Sequence, residues 1–235
     1  MQHTTIRPYR YLLFDIDNTL LDFSAGERAA LFQTMQEMNL PIQEPDYRMY
    51  LSINQSVWSK FEAGLLDSKA VQRLRFEEFA AYLHRDPAEG PALNERYVEN
   101  LSRQAILLDG ALDALRQLSR RYRLAVVTNG LTLVQRERLE RSGFLPFLAG
   151  VFISQEMGVQ KPSREYFDYV LNALGDLDRT QYLVIGDSPS ADIQGGVNAE
   201  IDTCWFLKDG SAQSASELPT YTVHGYPELL RLLMP

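Results

Sequence analysis

Four short apolar runs, each leading into polar or charged residues, constrain this chain more than any other feature. YLLF (Tyr11–Phe14) runs into Asp15, and RLAVV (Arg123–Val127) runs into Thr128. GVFIS (Gly150–Ser154) leads to a loop carrying Lys161, and QYLVI (Gln181–Ile185) leads to GDSPSAD, with Asp187 and Asp192. Helical patterns stand between the runs. Residues 131–142 read as a helix ended by Gly143. Pro162 and Ser163 open another, which runs to about Leu174 before Gly175. A third, from near Asp109 to about Tyr122, feeds the second run, and DTCWFL around Cys204 reads as one more strand. Short buried strands alternating with helices predict βαβ units, hence an α/β Rossmann-like parallel sheet covered on both faces.

The stretch 23–104 breaks that alternation. It holds no convincing strand and reads as amphipathic helices at about 25–39, 46–63, 68–84 and 92–104. Pro41, Pro45, Gly64, Pro87, Gly90 and Pro91 punctuate them. The expected organisation is therefore a core domain of residues 1–22 and 105–235, interrupted by a helical cap domain of residues 23–104. With 235 residues, 45% of them hydrophobic, the chain can bury a core of that size.

Composition narrows the partners. A formal net charge of −8 argues against long nucleic acid, which wants a basic face. A small anion needs only a local positive site. The single cysteine, Cys204, allows no internal disulfide and fits a reducing cytoplasm. No apolar run approaches membrane-spanning length, so no membrane partner is expected. His3, His84 and His224 are scattered without metal-ligand spacing.

In open parallel sheets, ligands bind at the carboxyl ends of the strands. Asp15, Thr128, Lys161 and Asp187 all leave or follow strands at that edge. Asp15 and Asp17 stand one residue apart directly after an apolar strand, and with Asp187 they would repel one another strongly. A hard divalent cation with oxygen ligands relieves this, and Mg²⁺ suits a site with few carboxylates. Lys161 adds one positive charge, Thr128 a hydroxyl, and Asn129 and Gly130 amides ahead of a helix N-terminus. Together these make a phosphate site around a carboxylate. Asp15 is then placed to attack phosphorus, giving an aspartyl-phosphate, and Asp17 to act as general acid and base. Each residue taken singly has a plainer reading. Thr128 could cap a helix, Lys161 could be a surface lysine, and Asp192 could cap a short helix.

DIDNT, TNG, KP and GDSPSAD, in that order, resemble the four motifs of the haloacid dehalogenase (HAD) superfamily of phosphohydrolases. The helical insert is similar to the C1-type cap of that superfamily. The resemblance implies Asp15 as nucleophile and Asp17 as general acid/base, with Thr128 and Lys161 stabilising the transferring phosphoryl group. It implies Mg²⁺ held by Asp15, the backbone carbonyl of Asp17 and Asp187, with Asp192 supporting the metal site through water or Lys161. It implies that Asn129 helps hold the phosphate. The presence of Asp17 favours phosphate-ester hydrolysis over carbon–halogen cleavage, because an alkoxide needs a proton and a halide does not.

Along the second cap helix Asn54, Trp58 and Glu62 share one face. Trp58 could stack on the base of a substrate, or it could pack the cap's own core. FDIDNTLLDF, INQSVWSKFEAGLLD and QKPSREYF look like the branch of house-cleaning nucleotidases. That implies a small phosphorylated metabolite as partner, a nucleoside 5′-monophosphate first among them. A sugar-phosphate phosphatase, a phosphomutase and a non-catalytic phosphate- or partner-binding module are the alternatives.

Overall fold

The computed structural model describes residues 7–208 and 218–234, so His3 lies outside the described residues. The chain divides into two compact units. One takes the chain up to Asp22, Ile106–Thr132 and the chain from Ser142 onward. The other takes Phe23–Ala105 and Leu133–Arg141.

The first unit is built on a six-stranded sheet of β1 (Tyr11–Phe14), β2 (Arg123–Thr128), β3 (Leu148–Ile153), β4 (Tyr182–Gly186), β5 (Asp202–Leu207) and β6 (Tyr221–His224). The spatial order is β3-β2-β1-β4-β5-β6, and every pairing is parallel. The expected Rossmann-like α/β class is borne out. β1 and β4 are buried along their whole length, which is why they read as unbroken apolar runs. The order reverses beside β1: β2 lies on one side and β4 on the other. That is the topological switch point, where such sheets open a crevice beyond their carboxyl ends.

Helix α8 (Arg164–Leu174) covers part of one face. Its Tyr166, Phe167, Val170 and Leu171 join Leu13, Val127 and Val184 in one core cluster. Ser163 caps α8 by accepting from Tyr166 N–H, and Gly175 ends it at φ 78°. Helices α5 (Ala111–Leu118), α7 (Ser154–Met157), α9 (Gln194–Asn198) and α10 (Tyr226–Leu233) complete this unit. β6 and α10 extend the fold past the elements expected from the sequence.

The second unit holds α1 (Phe23–Glu37), α2 (Glu44–Glu62), α3 (Ser68–Tyr82) and α4 (Gly90–Ser102), with the body of α6 (Thr132–Ser142). The expected all-helical insert is therefore present. Asp67 caps α3 by accepting from Ala70 N–H. Tyr50, Phe76, Phe79 and Tyr97 interlock beneath these helices, with Phe76 and Tyr97 ring centroids 5.1 Å apart. Arg138 of α6 is buried and donates to the Gln104 carbonyl at 3.0 Å. No helix among the described residues is long and apolar enough to cross a membrane.

Candidate active site

β1 delivers Asp15 to the switch point. Phe14 pairs with Val126 on one side and Ile185 on the other, and Asp15 N–H continues the ladder to the Ile185 carbonyl at 2.9 Å. Asp15, Thr128 and Asp187 thus leave three neighbouring strands at one edge.

After Ile16 the chain turns tightly. The N–H groups of Leu20 and Leu21 both reach the Ile16 carbonyl, at 2.8 and 2.9 Å. Asn18 sits at φ 57°, a left-handed conformation that Asn tolerates better than most residues. Tyr226 closes the turn from below, its hydroxyl donating to the Thr19 carbonyl. This turn sets Asp17, half-buried, just past Asp15.

The centre of the site is an ion-paired triad. Lys161 Nζ donates to Asp15 Oδ1 at 2.8 Å, to Asp192 Oδ1 at 2.6 Å and to the Val127 carbonyl at 3.1 Å. All three ammonium protons therefore have acceptors. The side chains of Lys161 and Asp192 are 2% and 1% exposed, so this pairing is screened very little by solvent. Burial disfavours the Lys161 charge, but Asp15 and Asp192 reverse that and hold the ammonium firmly protonated. Asp15 Oδ2 takes no partner among the described residues.

The carboxylates outnumber their counter-charge. Oxygens of Asp15, Asp187 and Asp192 lie within 4.8 Å of one another. Burial, offset in part by Lys161 and reinforced by Asp192 and Asp17, pushes the Asp15 carboxyl up to about 7. Burial and the same carboxylates raise Asp187 well above the usual range. Three acidic groups face one ammonium, and a hard divalent cation fits that surplus and that oxygen donor set. Asp15 and Asp187 are the residues available to hold it. Both Asp192 oxygens have other partners: Oδ1 takes Lys161 and Oδ2 takes Ser188 N–H at 3.0 Å. The Asp17 carboxylate is not one of the three clustered groups.

Thr128, fully buried, ends β2 and accepts from Gly130 N–H at 3.1 Å through Oγ1. Thr132 N–H, at the start of α6, donates to Gln155 Oε1 at 2.8 Å. Asn129 faces Lys161: its Nδ2 donates to the Lys161 carbonyl at 2.9 Å, and Lys161 N–H donates to its Oδ1 at 3.0 Å. Its side-chain amide therefore grips the lysine backbone. Trp58 belongs to the helical unit. It packs edge-to-face on Phe61, centroids 5.4 Å apart, beside Val57 and Val71. Asn54 is buried and donates from Nδ2 to Glu27 Oε1 at 2.7 Å.

Two supporting residues escape sequence reasoning. A Cβ on Gly186 would meet the Asp192 side chain, so only glycine lets that carboxylate lie over the end of β4. Trp205 donates from Nε1 to the Asp187 carbonyl at 2.9 Å. Neither has a local signal; both contacts join residues brought together by folding.

Residues 9–200 match the family model for haloacid dehalogenase-like hydrolases. The HAD-hydrolase YfnB of Bacillus subtilis is 37% identical over 97% of each chain. Its crystal structure, bound to magnesium, gives a TM-score of 0.91 and covers 97% of this chain and 100% of that one. The pyrimidine 5′-nucleotidase PynA of Streptococcus pneumoniae is 35% identical over 96% of this chain and 95% of its own. The pyrimidine 5′-nucleotidase YjjG of Escherichia coli is 32% identical over 95% of this chain and 97% of its own. Motif order, sheet topology and similarity along nearly the whole length agree: the chain belongs to the haloacid dehalogenase-like hydrolases.

Proposed function

We propose that this hydrolase is a Mg²⁺-dependent phosphomonoesterase that carries the phosphoryl group on Asp15, and that its substrate is a nucleoside 5′-monophosphate. One observation carries the chemistry. Asp15 stands at the switch point with Oδ1 held by Lys161, and Oδ2 has no partner among the described residues. A carboxylate anchored by one oxygen has the other available for attack.

Asp15 Oδ2 attacks phosphorus and the ester P–O bond breaks. Asp17 donates the proton that the leaving alkoxide needs. As a carboxylate, Asp17 then takes a proton from the water that attacks the phosphoryl group. Orthophosphate leaves and Asp15 is restored. Lys161 keeps Asp15 oriented and favours its ionised form, and the Thr128 hydroxyl and neighbouring amides hold phosphoryl oxygens. Asp15, Asp187 and the backbone carbonyl of Asp17 would hold Mg²⁺, which when bound neutralises charge shared by carboxylate and phosphate. Asp192 serves through Lys161, and Asn129 through the lysine backbone. Trp58, packed on Phe61, belongs in this reading to the core of the helical unit.

The nucleotide part is supported by similarity to PynA and YjjG, both named pyrimidine 5′-nucleotidases. The test is phosphate release from p-nitrophenyl phosphate with Mg²⁺ or EDTA, followed by a panel of nucleoside monophosphates and sugar phosphates. Metal-dependent turnover that vanishes in Asp15→Asn, fastest with pyrimidine monophosphates, is expected. No turnover at all points instead to a binding module, and turnover that survives in Asp15→Asn overturns Asp15 as the nucleophile. Faster hydrolysis of sugar phosphates replaces the substrate class and leaves the mechanism intact.

A further inference from the structure

The peptide unit joining Asp187 to Ser188 is held on both edges by buried side chains. On one edge, Trp205 Nε1 donates to the Asp187 carbonyl at 2.9 Å. On the other, Ser188 N–H donates to Asp192 Oδ2 at 3.0 Å. The segment that follows, Pro189–Ile193, is a single π-helical turn. Such a turn does not by itself fix the chain that leads into it.

Trp205 is well placed to do so. It lies on β5, directly opposite Gly186 of β4, and is 7% exposed. Its ring packs with Ile193 at the far end of the same turn and with Leu207 two residues along its own strand. The indole therefore spans the turn from Asp187 to Ile193. A carboxylate that must meet a cation needs its backbone held to within about 0.5 Å. With Gly186 held in the ladder on one side of Asp187 and the peptide plane clamped on the other, the direction of the Asp187 Cα–Cβ bond is set.

We propose that Trp205 is a positioning residue for the cation site: through its N–H it orients Asp187, which touches the ion. This rests on the reading of Asp187 as a Mg²⁺ ligand. Groups that orient metal ligands typically contribute about 10- to 100-fold in metal affinity. Trp205 adds no charge and its N–H is taken by the Asp187 carbonyl, so its effect falls on metal binding and not on recognition of the ester.

The experiment is calorimetric titration of Mg²⁺, without substrate, into the wild-type chain, Trp205→Phe and Asp187→Asn. Phenylalanine keeps an aromatic ring among Ile193 and Leu207 but has no N–H. The expected result is a Mg²⁺ Kd about 10- to 100-fold weaker in Trp205→Phe, with kcat recovered at high Mg²⁺ and KM for the ester unchanged once Mg²⁺ saturates. A melting temperature in EDTA close to wild type separates this from general loosening. Wild-type Mg²⁺ affinity in Trp205→Phe overturns the inference while Asp187→Asn still upholds the metal reading. Equal affinity in Asp187→Asn and wild type overturns both. If Trp205→Phe does not fold, Trp58→Phe leaves Trp205 as the one tryptophan of the chain's two. Its emission then follows the Mg²⁺ isotherm, and an emission that stays flat through saturation overturns the proposal.

Discussion

Asn129 holds Lys161 by both ends of its amide, Nδ2 on the lysine carbonyl at 2.9 Å and Oδ1 on the lysine N–H at 3.0 Å. This side chain imitates one rung of a sheet ladder between two loops that share no strand pairing. Asn129→Asp replaces the donor with an acceptor that faces the carbonyl. A fall in kcat of about tenfold or more is expected, equivalent to about 1.4 kcal/mol of lost transition-state stabilisation. Steady-state kinetics at saturating substrate check it, and an unchanged kcat refutes the role.

Lys161 is the ammonium that the buried carboxylates share. Removing one partner of a buried pairing costs about 3–5 kcal/mol, because the remaining charges stay uncompensated. Lys161→Met should show that loss at pH 8 in EDTA. The sign with pH follows from Asp15, whose carboxyl stands at about 7 with Lys161 in place. A carboxyl raised above its unfolded value favours the folded state at low pH, and that contribution disappears as pH rises through the folded value. The variant should therefore recover stability as the pH is lowered from 8 towards 5. Urea midpoints at both pH values measure this, and a deficit that grows on acidification would count against it.

Gly186 gives Asp192 its room. A Cβ there would lie 2.7 Å from the Asp192 Cβ. Asp192 cannot retreat without loosening Lys161 and Ser188, so Gly186→Ala should cost about 1–3 kcal/mol as an overpacked site. Activity should fall with it. Denaturant unfolding at constant m-value is the check; wild-type stability together with wild-type turnover would remove Gly186 from the site's construction.

Asp17 is assigned the proton, and the leaving group exposes that assignment. Asp17→Asn should lose about 10²–10⁴-fold on alkyl phosphates, whose alkoxides need protonation. p-Nitrophenolate leaves unaided, so phosphorylation of Asp15 by that ester should persist while breakdown by water slows. Rapid mixing should then show a burst of p-nitrophenolate approaching one per chain. Equal losses on both esters with no burst would move the proton to another group.

The sequence by itself determined the class of fold and named a candidate set of reacting groups. Apolar runs too short for helices and too continuous for a one-faced sheet specify buried parallel strands. Burial on both faces leaves the strand ends as the place for polar chemistry. That reasoning reaches Asp15, Thr128, Lys161 and Asp187 because each lies on a strand end or in the loop after it. Tertiary structure alone decided how they are held. Lys161 is tied to Asp15 across 146 positions and to Asp192 across 31, and the indole of Trp205 reaches Asp187 across 18. Such contacts leave no periodic trace, because they depend on strand order and register. The same holds for Asn129: only the tertiary structure brings its side-chain amide to the Lys161 backbone.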